Sequence, residues 1–184
     1  MIREKKVKGS MLKPFVIGIR ADKNGTYDNL LSEEDKEVLK LKILDSAWYP
    51  YETYKNTFNA VAKVSARGNM EIVRRWGMER GKEITERMYR GARVKRDLKT
   101  AVGLFNRFFK LWFNFGAQAE EMISENEVNL TYVDFDLDFE AFYYTAIGWM
   151  EIAFNILIGK KINAKFVTKS WIEKKPTVIN ITTF

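Results

Sequence analysis

The sequence predicts an α+β domain in which N-terminal helices pack on a C-terminal antiparallel sheet of about four strands, with one long helix between two hairpins. Three observations carry this. From Leu12 to Phe115 apolar residues recur at helical spacing, whereas after Gly116 the period switches to that of strands. An almost wholly apolar run, Phe139 to Ile158, separates two strand-rich stretches. Strands that follow helices in blocks, without βαβ alternation, form antiparallel sheets covered by helices.

Taken in order, Ser10 is placed to cap a first helix with Pro14 in its opening turn and Leu12, Phe15, Val16 and Ile19 as its apolar stripe, ending before Asn24-Gly25. Ser32, followed by Glu33, Glu34 and Asp35, caps a short helix to Ile43. Pro50 suits the first position of a helix running to about Ala66, with Tyr51, Tyr54, Phe58, Val61 and Ala62 on one face, and Gly68-Asn69 ends it. A fourth helix runs from Met70 to about Gly91, with Ile72, Val73, Trp76, Ile84, Met88 and Tyr89 inward. Leu98 to Phe115 is the most aromatic helix, with Leu104, Phe105, Phe108, Phe109, Trp112 and Phe113 in one wide stripe. Gln118 to Ser124 and Glu127 to Phe135 read as a hairpin with Val128, Leu130 and Tyr132 on one face. A helix from Phe139 to Ile158, interrupted at Gly148 and closed by Gly159, precedes two β-branched strands, Ile162 to Thr168 and Val178 to Thr183, joined by a turn at Lys174-Lys175-Pro176.

The chain has 184 residues, 46% of them hydrophobic and 14% aromatic, which fits one domain with a substantial core over residues 1–184. It contains no His and no Cys. That composition removes disulfides, thiolate nucleophiles, cysteine-held iron–sulfur clusters, zinc sites of His and Cys, imidazole-ligated haem and Ser-His catalysis. Met1 to Gly9 carries four Lys or Arg and no apolar h-region follows, so the expected location is the cytoplasm.

Charge is uneven. Between Lys63 and Lys99 there are 12 Lys or Arg against 5 acids, a surplus equal to the +7 of the whole chain. Arg74, Arg75, Arg87, Arg90 and Arg93 are the candidates for binding an anion or an acidic partner, because guanidinium groups make bidentate phosphate and carboxylate contacts. Acids interleaved at helical spacing, Glu79 with Lys82 and Glu83 with Arg87, also suit a solvated, salt-bridged face. No recognised nucleic-acid module accompanies them. Asp134, Asp136 and Asp138 alternate with apolar residues but lack the glycine of a Ca²⁺ loop, so they read as a solvent face and no metal is assigned. The run Ala141 to Gly159 is long enough for a membrane span, but Glu151 and Asn155 lie inside it, which favours a buried helix with Glu151 paired to an arginine. No acid/base constellation for an enzyme is present.

Several motifs occur in a familiar order: Lys8-Gly9-Ser10, Trp48-Tyr49-Pro50 before a helix, Arg74-Arg75-Trp76-Gly77, an aromatic helix running into Gly116, Gly148-Trp149 within a helix ending at Gly159-Lys160-Lys161, and a terminal β-hairpin. Over about residues 8 to 184 this resembles the fold shared by haem nitric-oxide-binding domains, vinyl-reductase-type sensor domains and TRAPP trafficking subunits, most closely the haem-free bacterial members. The resemblance implies a sensor or adaptor domain, often a homodimer, with an apolar cavity for a small ligand. Three departures limit the carry-over. The proximal histidine of the haem-binding members is missing, Thr168, Ser170 and Thr177 stand among the last strands where vinyl-reductase-type members have cysteines, and no thiol is available to hold an acyl chain as in TRAPP. With the resemblance, Trp48, Tyr51, Phe105, Phe108, Phe109, Trp112, Phe142, Tyr143 and Trp149 are the expected lining of a pocket for an apolar or lipid-like molecule. The expected function is non-enzymatic small-molecule binding. The alternative is an interaction protein with a filled core whose Arg-rich face, 63–99, binds an acidic protein, nucleic acid or an anionic membrane surface.

Overall fold

The structure, a computed structural model, describes residues 4–88 and 96–184. The described residues of Met1–Met70 join Lys110–Phe115 in one compact unit, and those of Glu71–Phe109 join Gly116–Phe184 in a second.

In the first unit, strand β1 (Lys6–Lys8) leads into helix α1 (Gly9–Ala21), a short 3₁₀ turn (Asp28–Leu30), helix α2 (Glu33–Lys40), strand β2 (Trp48–Pro50) and helix α3 (Tyr51–Ser65). β1 and β2 pair antiparallel, Val7 opposite Tyr49, a ribbon the sequence pattern did not predict because each strand is only three residues long. α1 begins one residue before Ser10 and has no side-chain cap. Its first amides are satisfied from outside the helix: Gly9 N–H donates to Ala47 O at 2.9 Å and Ser10 N–H to Asp45 O at 3.1 Å. Gly9 is required there, since a Cβ would lie 2.1 Å from Leu44 O. Ser32 caps α2 as expected, in a reciprocal box with Asp35. α2 stops at Lys40 rather than Ile43, because the Arg20 guanidinium takes the Leu39 carbonyl (Nε at 2.9 Å) and the Leu41 carbonyl (Nη2 at 2.6 Å). Phe15 of α1 stacks on Phe58 of α3 at 4.3 Å between ring centroids.

Helix α4 (Met70–Met88) and helix α5 (Leu98–Trp112) follow; the expected continuation of α4 to Gly91, with Tyr89, lies outside the described residues. α5 ends at Trp112 instead of Phe115. Phe113 bridges to Val7, and the Asn114 side chain accepts from Lys6 N–H at 2.7 Å, so β1 draws the chain out of the helix.

The second unit holds a four-stranded antiparallel sheet in the order β3-β4-β6-β5, with β3 (Ala117–Ser124), β4 (Glu127–Val133), β5 (Ile162–Thr168) and β6 (Val178–Thr183). Helix α6 (Glu140–Ile158) lies between the two hairpins, as predicted. A helix apolar on all sides belongs in an interior, and 67% of α6's most apolar window is buried, so its length and hydropathy reflect a core helix. The expected turn before β6 contains a one-turn helix, α7 (Ser170–Glu173), closed by Lys174 in the left-handed region. Gly148 does not interrupt α6. It lets α4 approach: a Cβ at Gly148 would lie 2.1 Å from Arg74 O, and one at Gly77 of α4 2.0 Å from Thr145 O. β4 ends at Val133 because Asp134 turns into the left-handed region, φ 51°, a conformation aspartate tolerates better than most residues.

Candidate functional site

The second unit gathers aromatic side chains from three elements. Phe109 of α5 meets Tyr132 of β4 edge-on at 5.8 Å and Phe135 at 5.4 Å; Tyr132 also meets Phe142 at 5.8 Å and Tyr143 at 5.2 Å, both from α6. Edge-to-face rings of this kind pack as a solid interior. Towards the other end of α6, Phe105 faces Phe154 at 5.9 Å. Here Phe105 and Phe108, with Thr85, Trp149 and Phe154, border an apolar cavity of about 10 Å³. That is about the room of one water. The expected pocket residues of this unit, Phe105, Phe108, Phe109, Phe142, Tyr143 and Trp149, are therefore contiguous with a core that leaves little void in its resting packing. Trp48, Tyr51 and Trp112 belong to the first unit. Tyr51 is 1% exposed, whereas Trp48 is 42% exposed beneath the ammonium of Lys8 and does not lie in an interior.

Polar groups inside the second unit are of two kinds. Tyr143 is satisfied: its hydroxyl donates to Asp136 O, while Ser170 Oγ donates to Leu137 O at 2.8 Å and Thr177 Oγ1 to Ser170 Oγ at 2.7 Å. Burial pushes the Tyr143 phenol up to about 12. Tyr132 is not satisfied. Its hydroxyl is buried with no hydrogen-bond partner, as are both polar atoms of the Gln118 amide, the residue opposite it on β3. Burial raises the Tyr132 pKa strongly; the nearby Gln118 amide offsets this slightly, without the geometry of a full hydrogen bond. Asn106 of α5 donates to Glu120 at 2.9 Å, yet its own carbonyl oxygen is buried unpaired. An unmet buried polar group costs roughly 1–3 kcal/mol, so Tyr132, Gln118 and Asn106 mark a polar locus where α5 meets the β3–β4 hairpin; Asn180 Oδ1 on β6 is likewise unpaired. The sequence reading placed Tyr132 on the inward face of β4 but passed over Gln118 and Asn106. The available signal was a glutamine between two alanines, Ala117 and Ala119, and an asparagine beside Phe105 in the aromatic helix.

The basic face divides. Arg74 is turned inward, with Nε donating to Glu151 Oε2 at 3.1 Å, the arginine pairing expected for Glu151. Arg80 pairs with Glu83 at 2.6 Å and Arg87 reaches the same carboxylate at 4.0 Å, while Arg75 is exposed. Arg90 and Arg93 lie outside the described residues. The aspartate series does not form the single face expected of it, since the turn at Asp134 ends the extended segment and Asp138 pairs with Lys174. Among the described residues no three acidic side chains converge on a point where a metal ion would be held.

This sheet order, with a core helix between two antiparallel pairs, defines an α+β fold. Solved structures that it matches over nearly its whole length include H-NOX domains, so the fold is the one the sequence resemblance pointed to. An H-NOX protein from S. oneidensis in the Fe(II)NO ligation state is 13% identical, with a TM-score of 0.63 over 96% of this chain and 99% of that one. An oxygen-binding H-NOX domain related to soluble guanylate cyclases is 13% identical, with a TM-score of 0.59 over 96% and 94%. An Fe(II) unliganded H-NOX mutant from K. algicida is 12% identical, with a TM-score of 0.59 over 96% of both chains. No family model and no curated protein matches the sequence. At such identities the likeness establishes the fold alone.

A haem is the group this fold brings to mind, and the residues present do not fit it. The chain offers neither His nor Cys as a ligand. The Tyr143 hydroxyl is committed to the Asp136 carbonyl, and the apolar cavity of about 10 Å³ is far smaller than a porphyrin.

Proposed function

We propose that this chain is a non-enzymatic, haem-free sensor or adaptor domain that takes a small, largely apolar molecule into the aromatic interior of its second unit. The observation that supports the reading is the full-length likeness to H-NOX domains in a chain whose corresponding interior is built from aromatic side chains instead of cofactor ligands. Apolar sites gain orientation from a few polar groups, and the unpaired Tyr132 and Gln118 supply a donor and an acceptor for one polar end of the ligand. Because the resting cavity is so small, binding requires one element to shift. α4 and α6 are held at backbone contact by Gly77 and Gly148 and tied by Arg74 and Glu151. α5, which meets α6 through rings such as Phe105 on Phe154, is the element that moves. A ligand drives such a shift only by binding the opened packing better than the closed one. The same reading takes the protein as a cytoplasmic homodimer, following the dimeric members of the superfamily it resembles. The alternative, an Arg-rich binding face, draws less support, since Arg74, Arg80 and Arg87 already have carboxylate partners.

Native mass spectrometry of the purified protein, followed by organic extraction, tests the proposal. A co-purifying apolar molecule at one per chain, whose retention falls in Tyr132→Phe, is the expected result. A bare mass of 21.6 kDa, together with no rise in Tm across a panel of small apolar molecules, overturns it.

A further inference from the structure

We infer that the first unit carries a docking surface for an anionic lipid bilayer, formed by the segment 39–48 where it lies along α1. Backbone and side-chain bonds fix that segment against the helix. Arg20 holds the Leu39 and Leu41 carbonyls, Lys13 Nζ reaches Asp45 Oδ1 at 3.1 Å, Lys8 Nζ donates to Ser46 O at 2.6 Å, and the first amides of α1 take the Asp45 and Ala47 carbonyls. Ile43 and Tyr49 point inward, 6% and 8% exposed, and the Tyr49 hydroxyl accepts from Leu44 N–H at 2.9 Å. With those anchors buried, Leu41 (57%), Leu44 (52%) and Trp48 (42%) are left facing solvent, and Ile17, one turn beyond Lys13 on α1, is 60% exposed.

Single exposed apolar residues are ordinary, but neighbouring ones rimmed by charge mark interaction surfaces. The rim here is basic: Lys8, Lys13, Arg20, Lys40 and Lys42 border the patch, and its acids Glu37 and Asp45 are already engaged by Lys40 and Lys13. The ammonium of Lys8 sits 4.0 Å above the Trp48 ring. An indole and branched aliphatic side chains flanked by lysines suit the boundary between acyl chains and anionic headgroups, where apolar groups enter the bilayer and ammonium groups reach the phosphates. An acidic protein would complement the charge but not four projecting apolar side chains unless it brought its own apolar surface, so the lipid surface is the occupant this chemistry matches. The patch lies wholly within the first unit.

The test is co-sedimentation of the full chain with vesicles of phosphatidylcholine alone or mixed with phosphatidylglycerol. Binding to the mixed vesicles that weakens as salt is raised, and that falls about tenfold or more in Leu41→Ser/Leu44→Ser at unchanged Tm, is expected. Both side chains are exposed and the backbone bonds of the segment remain, so the variant keeps the fold. No binding to the mixed vesicles overturns the inference. So does binding that survives Leu41→Ser/Leu44→Ser but is lost in Arg75→Glu, or a double variant that changes only self-association.

Discussion

The guanidinium of Arg74 in α4 donates to the carboxylate of Glu151 in α6 across 77 residues of sequence, with Nε 3.1 Å from Oε2. Their side chains are only 26% and 16% exposed, so each charge depends on the other. Fully buried pairs cost 3–5 kcal/mol when one partner is removed; with this residual exposure, Arg74→Met or Glu151→Leu alone is expected to cost about 2–3 kcal/mol. The double variant recovers most of that loss. Urea midpoints for the three variants check it, and a double variant as unstable as the sum of the singles would show that the pair is not coupled.

Gly77 and Gly148 admit the neighbouring helix at backbone contact, where an added methyl meets a carbonyl oxygen at 2.0 and 2.1 Å. Overpacking costs typically 1–3 kcal/mol when side chains give way, and a backbone carbonyl gives less readily. Gly77→Ala and Gly148→Ala are therefore each expected to lose about 3 kcal/mol or more. Gly18, with open space around it, serves as the control in thermal melts, since Gly18→Ala in α1 is expected to stabilise slightly.

Alkaline pH is expected to weaken the folded state. Burial raises the phenols of Tyr54 and Tyr132 and brings Tyr143 to about 12 from 10.0. A raised pKa means that the folded chain holds the proton more tightly than the unfolded chain. The contribution is therefore fully present below pH 10 and lost as pH rises through the folded value. Denaturant midpoints are expected to be flat from neutral pH to about 9 and to fall steeply above 10. Tyr143→Phe, which removes one of these phenols, should flatten part of that fall.

The hydroxyl of Tyr132 has no hydrogen-bond partner at 1% exposure. Tyr132→Phe deletes an unmet polar atom and keeps the ring, so stability should be unchanged or rise by up to about 1 kcal/mol. A loss of more than 1 kcal/mol in chemical denaturation would show that the hydroxyl makes a stabilising hydrogen bond in solution.

Asp35, 3% exposed, serves two helices. Its carboxylate accepts from Ser32 N–H at 3.2 Å and from Asn56 Nδ2 of α3 at 2.9 Å. Ser32→Ala removes one cap bond and should cost about 1 kcal/mol. Asp35→Ala removes both the box and the tie to α3 and should cost about 2 kcal/mol. Equal losses in the two variants would assign the whole effect to the cap.

Local pattern was enough to place the longer helices and the four strands of the sheet within a few residues, but not β1, β2, the 3₁₀ turn or α7: the Ser32 cap, the inward face Val128, Leu130 and Tyr132 of β4, and the core helix before Gly159 all stand where their periodicity puts them. Helix ends departed from expectation where a distant segment intervened, through its backbone at Gly9 against Asp45 and Ala47 and at Phe113 against Val7, and through the Arg20 side chain at Leu41. Trp48 shows the same limit at the candidate site. Its neighbours are apolar in sequence, but Tyr49 and Ile43 take the inward positions and leave it outside.

What the sequence by itself determined is the α+β order, the basic surplus and the absence of imidazole and thiol chemistry, because periodicity, charge and composition are properties of short stretches and of the residue inventory. Only the tertiary structure decided that Gly77 and Gly148 are points of backbone contact, that Glu151 meets Arg74, that Tyr132 and Gln118 lack partners, and that the cavity beside Phe105 holds about 10 Å³. Closeness of approach and the satisfaction of polar groups belong to pairs of residues far apart in the chain, and they exist only once the helices have closed on the sheet.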